Sequence, residues 1–85
     1  MMNEQYSQII TKRILSLCES RGFTIYQLSQ MSGLSNSTVS SIINQKAFYP
    51  TIKTLHKIAT AFNMTVAEFL DFKELNDFSF DDMDE

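Results

Sequence analysis

The residues from Thr24 to Asn44, TIYQLSQMSGLSNSTVSSIIN, constrain this chain more than any other stretch. They hold two short helical patterns, about Ile25 to Met31 and about Asn36 to Ile43, broken by Ser32-Gly33-Leu34. Each pattern has its own start signal. Thr24 is an N-cap residue, and Gln27 follows at the spacing of a capping box, where each side chain bonds the other residue's backbone N–H. Phe23 and Leu28 flank that cap at hydrophobic-staple spacing, and Leu34 and Val39 do the same around Ser35, the cap of the second helix. Gly33 supplies the backbone freedom that a tight corner between helices needs. Leu28, Val39 and Ile42 then meet inside the corner. Asn36, Ser37, Ser40, Ser41 and Asn44 are left on the outer face of the second helix.

A short helix with an uncharged, hydrogen-bonding outer face, buttressed by another helix, is a shape that enters a DNA major groove. The residues around it strengthen that reading. Leu28, Gly33-Leu34-Ser35, Ser37-Thr38-Val39-Ser40, Ile42, Asn44, Pro50-Thr51, Leu55, Ile58-Ala59, Phe62 and Phe69-Leu70 form a specific pattern. Over most of the chain, from about Ile10 to Leu70, it resembles the Cro/phage-repressor helix-turn-helix family, the XRE type. The resemblance implies an all-α fold, a compact five-helix lambda-repressor-like domain. It further implies a prokaryotic or phage-like, cytoplasmic regulator of transcription whose partner is double-stranded DNA.

Whole-chain charge argues the other way, since the formal net charge is −3. Its distribution resolves the conflict. In residues 1–70, Lys12, Arg13, Arg21, Lys46, Lys53 and Lys57 outnumber Glu4, Glu19 and Glu68. In residues 71–85, Asp71, Glu74, Asp77, Asp81, Asp82, Asp84 and Glu85 face Lys73 alone. The body is mildly basic and the end acidic, so charge per segment is the better guide to the partner. The expected division is a helix-turn-helix domain over 1–73, with its motif at 24–44, and an acidic aromatic tail over 74–85. One cysteine, Cys18, cannot form an internal disulfide, which points to a reducing compartment. No apolar run is long enough for a membrane span, and no membrane partner is expected.

The remaining helices follow from apolar periodicity. Tyr6, Ile10, Ile14, Leu17 and Cys18 recur at helical spacing in a first helix that runs to about Ser20, with Gly22 as its left-handed end. Lys12 and Arg13 fall opposite and read as a solvated face. Cys18 sits on the apolar side and reads as a buried structural thiol. Relatives in the resembled family often pair an Arg there with a Glu; Cys18 and Ile43 imply an apolar contact in place of that ion pair. Ser29 and Ser32 stand where relatives carry Ala and Leu. Ser29 is expected to bond back to its own helix, and Ser32 to leave the corner slightly under-packed. Relatives usually end the recognition helix with Gly where Gln45 stands.

Pro50 leads into Thr51, an N-cap for a fourth helix over Ile52 to about Phe62. Ile52, Leu55, Ile58, Ala59 and Phe62 make its apolar stripe. His56 falls beside the stripe with no ligand partner at metal-binding spacing, so neither a metal nor a cofactor is expected. Asn63 is the helix stop. Thr65 and Glu68 form a second capping box, with Met64 and Phe69 as staple, for a fifth helix over about Val66 to Phe72. In the tail, Leu75, Phe78 and Phe80 alternate with acids. That mixture suits a solvated tail, a segment folded onto the basic surface of the body, or a segment that meets a protein partner.

Catalysis has no support in the residue types. There is no Ser-His-Asp set, Cys-His pair, phosphate-cradling glycine loop or metal-ligand cluster. Binding is better supplied. Base edges fall to Asn36, Ser37, Ser40 and Ser41. Asn36 can pair with adenine through two hydrogen bonds. The DNA backbone falls to Thr24 and Gln27, at a helix N-terminus that favours anions, and to Asn44, Lys46, Tyr49 and Thr51. The resemblance places Lys46 and Tyr49 where relatives touch phosphates. Specificity from so weakly charged a helix calls for a homodimer on a two-fold operator. The competing reading is an antitoxin or adaptor that keeps this frame but works on a protein partner through residues 74–85.

Overall fold

The computed structural model describes residues 2–44 and 50–78, with side chains from Gln8 onward. Six helices occur in that span: α1 (Met2–Arg21), α2 (Ile25–Ser32), α3 (Asn36–Asn44), α4 (Ile52–Ala61), α5 (Val66–Leu70) and α6 (Lys73–Asn76). No strand occurs among the described residues. No helix among them is long and apolar enough to cross a membrane.

The helices start and stop where local chemistry dictates. Both capping boxes form. At α2, the Gln27 N–H donates to Thr24 Oγ1 at 3.0 Å and the Thr24 N–H donates to Gln27 Oε1 at 2.8 Å. At α5, the corresponding distances for Glu68 and Thr65 are 3.0 and 2.9 Å. Thr51 caps α4 by accepting from the Thr54 N–H at 3.2 Å. Gly22, Gly33 and Asn63 all adopt positive φ, at 69°, 78° and 61°, which ends one helix and redirects the chain into the next. Asparagine is the non-glycine residue best suited to that conformation.

One core unites these elements. Ile10, Ile14, Leu17 and Cys18 of α1 meet Leu28 of α2, Val39 and Ile42 of α3, Leu55, Ile58, Ala59 and Ala61 of α4, then Phe62 and Phe69. Phe23, the expected staple residue, lies parallel to Phe62 with ring centroids 5.8 Å apart. Burial pushes the Cys18 thiol pKa up, as expected for a structural cysteine. Ile43 packs against the same core. Ile52 departs from the expected α4 stripe: it is 68% exposed. It occupies the first helical position, ahead of the turn that meets the core, and Ala61 is buried at the other end instead.

Arg13 differs most from its sequence reading. Instead of a solvated cation it is a cross-link: Nε donates to the Phe69 carbonyl at 2.9 Å and a terminal nitrogen to the Glu68 carbonyl at 3.1 Å. Its guanidinium also lies over the Phe72 ring, 4.8 Å from the centroid. This explains why α5 stops at Leu70 and not near Phe72. In a longer helix those two carbonyls accept from the N–H groups four residues on; here the Phe69 carbonyl accepts from Arg13, and the Glu68 carbonyl accepts from Arg13 and from the Asp71 N–H of the closing turn. The chain then turns into α6, one short helix beyond the five expected. It packs against α1, with Phe72 and Leu75 on the core. An exposed Lys73–Asp77 pair and a 2.9 Å bond from Asn76 Nδ2 to Asp71 Oδ1 lie on its outer side. Residues 74–78 therefore lie on the folded body, and 79–85, with Phe80, fall outside the described residues.

Candidate nucleic-acid interface

The second helix of the corner, α3, is fixed at both ends by hydroxyl groups. Before its start, Ser29 Oγ of α2 donates across the turn to the Leu34 carbonyl at 3.0 Å. The expectation that Ser29 bonds within its own helix is thereby corrected: left-handed Gly33 folds the chain back and brings the Leu34 oxygen within reach. Ser32 accepts from the Leu34 N–H at 3.3 Å and donates to the Ser29 carbonyl, also at 3.3 Å. Both serines are buried, and no buried side-chain polar atom among the described residues lacks a hydrogen-bond partner. The Ser32 site is thus a hydrogen-bonded clasp where the sequence suggested a loose corner. At the far end, Thr11 of α1 donates from Oγ1 to the Ile42 carbonyl at 3.1 Å.

Between those anchors the helix builds itself. Ser35 Oγ accepts from the Thr38 N–H at 3.1 Å and bonds the Thr38 hydroxyl at 2.8 Å, with the Ser37 hydroxyl 3.2 Å away. Val39 and Ile42 are buried. At 3.6 residues per turn, Asn36, Ser37, Ser40, Ser41 and Asn44 share an arc of about 140° on the opposite side. Asn36, Ser37 and Asn44 are exposed, whereas Ser40 and Ser41 are half-buried. The difference follows from position. Ser40 and Ser41 lie at mid-helix, away from the exposed first turn and the exposed last residue of α3.

The N-terminus of α2 offers a second set of donors. Its capping box uses Gln27 where α5 uses Glu68. The distinction matters electrostatically. A carboxylate repels an anion at the helix end, while an amide leaves its NH2 group as a donor once Oε1 is engaged by Thr24. Thr24 and Gln27 are both exposed. Thr51 is exposed at the head of α4, while Lys46, Tyr49 and Gln45 lie outside the described residues.

From Gly22 to Gln45 the chain carries no Asp, Glu, Lys, Arg or His. Arg21, just before, holds its guanidinium 5.6 Å from the Phe62 ring centroid. Lys53 is exposed on α4. Among the described residues no group of three or more His, Cys, Asp or Glu is placed to hold a metal. The sequence reading missed Thr11 as an anchor of α3. The signal available was weak: one β-branched polar residue beside the apolar stripe of α1.

The comparisons with known proteins agree with this geometry. A protein crystallised as prophage Lp1 protein 11 is similar to this chain, with a TM-score of 0.74 and 25% identity, covering 85% of this chain and 95% of that one. No curated protein matches the sequence. The family model described as the Cro/C1-type HTH DNA-binding domain matches residues 13–74, from the cross-linking Arg13 into α6. With that span and the cornered pair α2–α3 at its centre, the chain belongs to the Cro/C1-type helix-turn-helix DNA-binding family.

Proposed function

We propose that this protein is a sequence-specific regulator of transcription that lays α3 in the major groove of double-stranded DNA. Asn36, Ser37, Ser40 and Ser41 read base edges. Thr24 and Gln27 meet phosphates at one side of the groove; Asn44, Lys46, Tyr49 and Thr51 meet them at the other. The observation that carries this reading is the free outer face of α3. Among the described residues, the Asn36, Ser40, Ser41 and Asn44 side chains have no hydrogen-bond partner, while the helix that presents them is anchored at both ends. A rigid helix with unengaged polar groups is pre-organised for base contacts.

One helix of this kind carries modest discrimination, so two copies act on a two-fold operator with half-sites about 34 Å apart. Use of the tail to hold a protein partner is less well supported, because Leu75 packs on the core and Phe78 lines a groove on α1 with Ile9 and Lys12.

The test uses a duplex selected by the full chain. Replacing Asn36 and Ser40 by Ala is expected to weaken binding at least about ten-fold, since a bidentate base contact is worth ~1–3 kcal/mol. Removing residues 79–85, which spares α6, is expected to leave DNA recognition in place. Loss of binding only on the tail deletion would favour the adaptor reading.

A further inference from the structure

The helix-turn-helix face is unusual in its chemistry as well as its shape. On α3 the outward groups are two amides, Asn36 and Asn44, and three hydroxyls, Ser37, Ser40 and Ser41. No cation or carboxylate accompanies them on α2 or α3. Each base pair offers a different pattern in the major groove, and these groups do not match all patterns equally. Guanine presents two acceptors, best met by the paired donors of Arg or by Lys; cytosine presents a lone donor, met by a carboxylate. Adenine presents an acceptor beside a donor, which an amide complements with its NH2 and its oxygen. Thymine presents one acceptor and a methyl group; a serine hydroxyl can meet that acceptor but, able both to donate and to accept, favours no base by itself, so the two amides carry the preference.

We infer that the half-site beneath α3 is composed of A·T pairs, with Asn36 placed on an adenine. This deepens the proposed function and rests on it. The rigid mounting of α3 sharpens the point. The Leu34 and Ile42 carbonyls are held by Ser29 and Thr11, so α3 is tied to the rest of the domain and presents its amides in a fixed register.

The experiment is selection of bound duplexes from a random pool by the full chain, repeated with Asn36→Ala and Asn36→Arg. Position 36 is exposed at the first helical residue, so neither change disturbs the core. The expected result is a consensus whose positions under α3 are A·T pairs. Asn36→Ala flattens one adenine position, with affinity for the original duplex falling between about 5-fold and about 150-fold. Asn36→Arg moves that position toward guanine. A consensus with G·C pairs at the α3 positions, or an adenine preference untouched by Asn36→Ala, overturns the inference while leaving sequence-specific binding standing. A pool that returns no consensus, with binding retained, overturns the proposed function itself and this inference with it.

Discussion

Arg13 Nε donates to the main-chain oxygen of Phe69 at 2.9 Å, joining residues 56 apart in sequence. With the second bond to Glu68 and the ring of Phe72 beneath the guanidinium, one side chain closes α5, positions α6 and ties both to α1. Arg13→Ala is expected to destabilise the fold by about 1.5–3 kcal/mol, the range for a hydrogen bond to a charged group, read as a lower urea midpoint. Arg13→Lys should recover only part of the loss, because an ammonium cannot reproduce the planar fork.

The two capping boxes offer an internal control. Thr24→Ala and Thr65→Ala remove equivalent caps and should each cost about 0.5–2 kcal/mol in thermal or urea unfolding. Their effects on DNA binding should separate. Thr24→Ala is expected to weaken binding by about five-fold more than Thr65→Ala, as one lost hydrogen bond implies. Equal effects on DNA affinity would remove the α2 N-terminus from the interface.

The serine clasp should be measurable as a pair. Ser29→Ala leaves the Leu34 carbonyl without its side-chain donor, and Ser32→Ala leaves the Leu34 N–H without its acceptor. Each change should cost about 1 kcal/mol. The double variant should depart from additivity, because both act on one residue of the turn. A double-mutant cycle by urea unfolding reads the coupling, and strict additivity would argue against a shared clasp.

Cys18 sets an alkaline limit on stability. Burial raises its thiol pKa above the ordinary value of 9.0. Above that value the unfolded thiol loses its proton while the folded one keeps it. The folded state then binds more protons, and stability falls as pH rises. The contribution is complete below about pH 9 and declines beyond it. Unfolding measured from pH 7 to pH 10 should show this decline, and Cys18→Ala should lose that part of it.

Salt dependence should be shallow. With no charge from Gly22 to Gln45, only a few phosphates are neutralised per copy. The slope of log affinity against log salt is expected near −1 to −3 per copy, roughly −0.9 for each phosphate neutralised by a Lys or Arg, the neutral contacts adding little. Lys46→Ala should flatten it by about one. A slope near zero would deny the phosphate contacts, and an unchanged slope would remove Lys46 from them.

What the sequence determined by itself is the set of features encoded within a few residues of one another. Thr24 with Gln27, Thr65 with Glu68 and Thr51 at the head of α4 are contacts across three positions, and all form. Gly22, Gly33 and Asn63 take the left-handed conformation at the helix ends. The apolar spacing that places Leu28, Val39 and Ile42 in the corner is equally local. Tertiary structure decided whatever depends on a partner far along the chain. Thr11 reaches a carbonyl 31 residues away and Arg13 one 56 away. Nothing in the spacing of either residue distinguishes such a cross-link from a solvated side chain. Ile52 was misread for the same reason: helical period gives a face, but only packing shows how far along that face the core extends. The recognition surface combines both kinds of information. Its residue types and helical arc are local, while the anchoring that holds α3 steady comes from α1 and α2.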